Sequence, residues 1–103
     1  MSVNIILEPG ANGFAENKDE ARNVRLSQVL PALRSGERVV LDFVLVRYAT
    51  QSFVHALIGE PLQQYGEAVL ESLEFRNCSP QVKSVIELVV DYSFGGFAET
   101  RGA

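Results

Sequence analysis

The chain reads as a single small α/β domain, a mostly parallel sheet of three to four strands with helices packed on it. Three observations predict this. Runs with strand character and runs with helix character alternate three times, and that alternation builds right-handed crossovers between parallel strands. Residues 38–46, RVVLDFVLV, are nearly continuously apolar and β-branched, as expected of a strand buried on both faces at the middle of such a sheet. The length of 103 residues fits one domain with one modest core.

The elements follow in order. Residues 3–8, VNIILE, form a short β-branched run closed by Pro9-Gly10, a strand end. The stretch 11–17, ANGFAEN, is small and polar and reads as loop. Asn17 with Glu20 has capping-box spacing, and Asp19 and Glu20 suit the positive end of a helix dipole. Leu26, Val29, Leu30 and Leu33 then mark one buried helical face. Pro31 predicts a kink or restart near Leu30, and Ser35-Gly36 ends the element.

In the second strand, Asp42 interrupts the apolar run, so its carboxylate should meet donors or lie near a strand end. From Gln51 to Gln64 the spacing turns helical through Phe53, Ala56, Leu57 and Leu62, with Gly59 and Pro61 weakening or splitting that helix. Residues 72–76, SLEFR, read as a third strand, and Asn77-Cys78 as a turn. Ser79 caps a third helix with Pro80 at its first position, and Val82, Val85, Ile86, Val89 and Val90 form its stripe. The domain is expected to occupy residues 1–92. The tail 93–103, SFGGFAETRGA, is expected to be mobile, with Phe94 and Phe97 able to dock. Three strands make a narrow sheet, whose edges must be covered or shared with another chain, so a homodimer is expected to be possible. No internal repeat is visible.

Composition narrows the function. Net charge is −4, with 13 acidic residues against 9 basic, and phosphate neutralisation needs the opposite balance; nucleic acid is not the expected partner. Arg22, Arg25, Arg34 and Arg38, in or beside the first helix, are read as a solvated face. Cys78 is the single cysteine, so no internal disulfide can form, which suits a reducing compartment. No basic n-region opens the chain and no run approaches ~18 apolar residues, so the expectation is a soluble cytoplasmic protein without membrane attachment.

Candidates for chemistry are few. His55 is the one histidine, which leaves a metal site without further ligands, and no metal or cofactor is expected. A nucleophilic Cys78 would need a base, and only His55 is available. Asp42 would serve as general acid or base with a second acid nearby, for which Glu74 is the candidate across the sheet. The loop 10–14, GANGF, offers Asn12, Gly13 and Phe14 to a crevice at the strand ends, but matches neither the GxGxxG nor the GxxxxGK phosphate-binding pattern. No catalytic set assembles, and the chain is read as a non-enzyme.

The stretch from Val39 to Tyr92 carries LDF at 41–43, SF at 52–53, YG at 65–66, LEFRN at 73–77 and SPQVKSVIELVV at 79–90. In order and spacing it resembles the STAS-like domain family of uncharacterised function, which is similar to the STAS domains of anti-sigma-factor antagonists. The resemblance implies a regulatory protein-interaction domain. In those antagonists a partner kinase phosphorylates a serine at the start of the helix after the central strand, and the contact with the partner breaks. Ser52 matches that serine by position, while Thr50 and Phe53 stand where the antagonist motif has an acidic residue and a glycine. The resemblance thus implies Thr50, Ser52, Phe53 and His55 as the partner-binding or modification surface. Its partner would be a histidine-kinase-type ATPase or another signalling protein. The alternative is a small-molecule or nucleotide-binding module using the strand-end crevice with Asn12, Gly13, Phe14 and Asp42.

Overall fold

The computed structural model describes residues 2–94. Strand β1 (Ser2–Ile6) leads through a single 3₁₀ turn (Ala11–Gly13) and strand β2 (Phe14–Ala15) into helix α1 (Lys18–Val24). A π-helical turn, Arg25–Val29, joins α1 to α2 (Leu30–Arg34). Strand β3 (Arg38–Asp42) and strand β4 (Tyr48–Ala49) precede α3 (Gln51–Val54), a second π turn (His55–Gly59) and α4 (Glu60–Tyr65). A 3₁₀ segment, Gly66–Ser72, then delivers β5 (Leu73–Arg76), and α5 (Pro80–Ser93) closes the domain.

The main sheet has the order β1-β3-β5, parallel throughout, with Ile5 opposite Leu41 and Leu41 opposite Phe75. The predicted α/β class and central strand therefore hold. Beyond that prediction, β2 and β4 pair as a second, two-stranded parallel sheet, Phe14 opposite Tyr48. Residues 11–17, expected as loop, supply half of it.

The crossover helices α1 to α4 lie on one side of the main sheet, because both crossovers run the same way along the order β1-β3-β5, and α5 packs into the same core through Val82. Ile5, Leu7, Val39, Leu41 and Leu73 share one buried cluster with Val29, Phe53, Leu57 and Val82 from the helices. The opposite face carries Ser2, Asn4, Ile6, Arg38, Glu74 and Arg76, and it is open. There Arg38 and Arg76 both pair with Glu74, at 3.5 and 2.7 Å, beside the buried Val40. Hydrogen bonding from the Arg76 guanidinium holds the Glu74 carboxyl below its ordinary range.

The strand expected over 38–46 ends at Asp42. Asp42 Oδ1 accepts the Val44 amide at 3.0 Å, and the Val46 amide donates to the Phe43 carbonyl at 2.9 Å, so the chain turns there. Phe43 and Val46 return to the core, whereas Val44 and Leu45 face solvent at 56% and 52% exposure. Leu26, expected on the buried face of the first helix, is also exposed. Its neighbours Val29 and Leu30 are buried as expected, and Leu33 packs against the core cluster.

Neither proline breaks its helix. A helical proline lacks the amide and clashes with the carbonyl four residues back. Each helix absorbs this with a π turn ending two residues before the ring, at Pro31 and at Pro61. In the π register the Ala56 carbonyl would pair with the amide that Pro61 lacks. Arg25 Nη1 donates to that carbonyl at 2.9 Å, and Arg25 Nη2 pairs with Glu60 at 3.2 Å. Thus each half of the domain repeats one layout of long strand, two-residue strand and helix with a π turn, although no repeat is visible in the sequence.

The caps form where expected. Asn17 Oδ1 accepts the amides of Asp19 and Glu20, and Ser79 Oγ accepts the amide of Val82. Phe94 packs against the core just past α5. The expectation of mobility for the rest of the tail, Phe97 included, falls outside the described residues.

Candidate functional site

Parallel strands aim their carboxyl ends, and the loops that follow, at one edge of the sheet. Here three loops converge. Asp42, the last residue of β3, binds two of them: besides the Val44 amide, its Oδ1 accepts from Asn77 Nδ2 at 2.9 Å. The carboxylate that interrupts the apolar run thus fastens the turn 43–47 to the loop after β5. Glu74 is on the same open face and belongs to the arginine ladder. His55 lies in the helical layer with its ring over Gly59, whose missing Cβ would sit 2.8 Å from His55 Cδ2. Asp42, Glu74 and His55 therefore do not line one cleft.

The loop 10–14 is closed on itself and against its neighbour. Gly10 donates to Phe14 O at 2.9 Å and Arg47 donates its amide to Gly13 O at 2.8 Å. Asn12 and Gly13 both adopt left-handed backbone, with φ of 59° and 75°. The stem of Arg47 covers Gly13, so that a Cβ there would lie 2.7 Å from Arg47 Cγ. That stem fills the space a phosphate would need against the glycine. Asn12 is exposed, and so is Phe14, stacked at a tilt on Tyr48 with ring centroids 6.1 Å apart. The Arg47 guanidinium lies 5.9 Å from the Tyr48 ring.

The helix start beside these rings is held from three directions. Thr50 donates its amide to Ala15 O at 3.0 Å, and its Oγ1 accepts the Phe53 amide at 3.1 Å. The Gln81 side chain reaches from α5 and makes two 2.9 Å hydrogen bonds with the backbone of Ala49, one in each direction, as a third strand would. Ser79 Oγ donates to Arg47 O at 3.0 Å. Ser52 is exposed at the second position of α3, and His55 is exposed one turn on. Phe53, named from sequence for the same surface, is 3% exposed. Its ring belongs to the core, because the helix turns that position toward the sheet, and it is out of a partner's reach.

Side chains that sequence reading missed complete the face. Val44 and Leu45 were assigned to strand interior and Tyr48 to no element, yet all three are exposed here with Phe14 and Ile6. Five of the eight large hydrophobic residues exposed among the described residues gather at the carboxyl ends of the strands. The available signal was Asp42 itself, since an aspartate ahead of Phe43-Val44 favours an Asx turn. A hollow of about 690 Å³ opens beside Tyr48 and Arg47, walled on its far side by Asn77, Ser79 and Gln81. Cys78 also borders it, half-buried, and burial pushes its thiol up, away from the reactive thiolate. Among the described residues no cluster of His, Cys, Asp or Glu could hold a metal ion, and no helix is long and apolar enough to cross a membrane.

A comparison with curated proteins and with solved structures returns no match. A family model does match, over residues 20–83, from the first turn of α1 to the first turn of α5. The matched span contains the Asp42–Asn77 tie, the Thr50 cap and the Gln81 clamp, and it covers more than half of the chain. The chain belongs to the family described as STAS-like domain of unknown function (DUF4325).

Proposed function

We propose that this domain is a regulatory protein-interaction module that docks a signalling partner at the carboxyl-end face and is switched by charge at Ser52. One observation carries the reading: the clustering of exposed apolar side chains, Phe14, Val44, Leu45 and Tyr48, beside an exposed serine at a helix start. Exposed apolar patches on small domains mark contact surfaces. A phosphate on Ser52 would add close to two negative charges at the edge of that patch and oppose a partner fitted to an apolar surface. By likeness to STAS switches, the partner class is a histidine-kinase-type ATPase acting in the cytoplasm.

The test is site-specific photo-crosslinking in the native cell extract. A photoreactive residue at Leu45 or Tyr48 is expected to trap one protein. The same residue at Arg34, at the opposite end of the sheet, is expected to trap none. Adding Ser52→Asp is expected to abolish the adduct. Equal trapping at all three positions, or indifference to Ser52→Asp, sinks the proposal.

The hollow beside Tyr48 favours a second reading, a small-molecule or nucleotide-binding module. A ligand at 100 times its dissociation constant stabilises by about 2.7 kcal/mol, which a thermal-shift screen of nucleotides and metabolites detects. A flat screen removes those ligands from consideration.

A further inference from the structure

We propose that the free edge of β1 is a self-association seam, at which two copies of this chain pair antiparallel to join their sheets into one of six strands. The proposal is independent of the carboxyl-end face.

β1 lies at the end of the strand order. Its Leu7 side of the ladder is spent: the Leu7 amide donates to Asp42 O at 3.0 Å. Alternation along a strand then points the amides and carbonyls of Val3 and Ile5 toward β3, and those of Ser2, Asn4 and Ile6 outward. Natural edges are blunted by charge, proline or bulges. The opposite edge, β5, carries Glu74 and Arg76 and ends at Asn77 in left-handed backbone with φ of 59°. β1, SVNII, carries none of these protections.

The occupant that fits is a second β1. Two copies of a chain with net charge −4 repel over most of their surfaces, but this strand brings no charge to the contact. A two-fold axis at Asn4, the middle residue, sets Asn4 opposite Asn4 of the other copy and Ser2 opposite Ile6. All three pairs are then of the hydrogen-bonded kind, giving about six new backbone bonds. Two hollows of about 320 and 300 Å³ lie between β1 and the first helical segment, one beside Ile5 and Val24, the other beside Val3 and Pro31. Side by side, the two helical layers would close over both. Ile6, 56% exposed, gains a neighbour on the open face.

Light scattering after size exclusion tests this on the full chain. Wild type is expected to move from 11.3 kDa toward twice that mass as concentration rises to ~1 mM, where even a millimolar Kd is visible. Asn4→Lys and Asn4→Asp each set like charges face to face and are expected to stay monomeric with unchanged circular dichroism. Mixed one to one, they are expected to dimerise again, which a folding defect would not permit. A wild type that stays monomeric, an Asn4→Lys that dimerises like wild type, or a mixture that stays monomeric would each overturn the seam.

Discussion

Replacing Gln81 with alanine should loosen the whole carboxyl-end face. Gln81 is the side chain that closes the outer edge of β4: Oε1 accepts the Ala49 amide and Nε2 donates to the Ala49 carbonyl, each at 2.9 Å. Ala49 is 1% exposed, so both backbone groups lose their partners in a nearly dry place. A buried group left unpaired costs about 1–3 kcal/mol. The adjacent hollow admits water to one of the two, which brings the expected net loss to about 2 kcal/mol. For a domain this size that lowers the thermal midpoint by about 10 °C. Gln81→Glu keeps the acceptor and puts a carboxylate in the first turn of α5, where the dipole returns about 0.3–1 kcal/mol. It also sets a carboxylate oxygen against the Ala49 carbonyl, where Nε2 had donated, so it should lose about as much as the alanine variant. Urea unfolding gives the stabilities, and amide exchange at Ala49 by NMR gives the local effect, expected to quicken about 30-fold in the alanine variant. If Gln81→Ala leaves the urea midpoint and the Ala49 exchange rate unchanged, the clamp is not what holds β4.

Gly13→Ala meets both a left-handed backbone and the Arg47 stem, while Gly36→Ala, with φ of 78°, meets no atom within 4 Å. Gly36→Ala should cost about 1 kcal/mol and Gly13→Ala at least about 1 kcal/mol more, read from urea midpoints. Arg25→Met should cost about 1–3 kcal/mol by orphaning the Ala56 carbonyl, and less in a Pro61→Ala background, where a new amide can serve it. A double-mutant cycle checks this coupling, and strict additivity would refute it. Glu74 has a carboxyl held below its ordinary value of 4.5, so it stabilises the fold when ionised. The advantage of wild type over Glu74→Gln should be full at neutral pH, shrink as pH falls below 4.5, and vanish below the depressed folded value. Urea midpoints measured from pH 7 down to pH 3 test that sign.

What could be read in the sequence was whatever local chemistry decides. Asn17, Thr50 and Ser79 sit before apolar helical spacing, and each caps its helix. The apolar triplet Val39, Val40 and Leu41 is buried whichever face each residue points to. What escaped depended on contacts distant in sequence. The β2–β4 pair has two residues per strand and no propensity of its own; it exists because Arg47 and Thr50 reach Gly13 and Ala15. Pro31 was expected to kink or restart its helix and Pro61 to weaken or split its own; both helices run on through a π turn, and before Pro61 the stranded Ala56 carbonyl is served by Arg25, thirty-one residues away. At the candidate site the place of Ser52 at a helix start was legible, and its exposure was not. The apolar wall beside it was not, because Val44 and Leu45 look like strand until Asp42 turns the chain.

The wide turn before Pro61 has left a mark on the spacing of the buried residues. They come in pairs four apart: Phe53 and Val54, Leu57 and Ile58, Pro61 and Leu62. At 3.6 residues per turn such pairs creep about 40° around a helix at every step. A turn that holds more residues slows the creep, so all three pairs keep facing the sheet. Deleting one residue between His55 and Gly59 would tighten the coil and swing Leu62 by about 100° toward water. The irregularity is therefore part of how this helix keeps its aim.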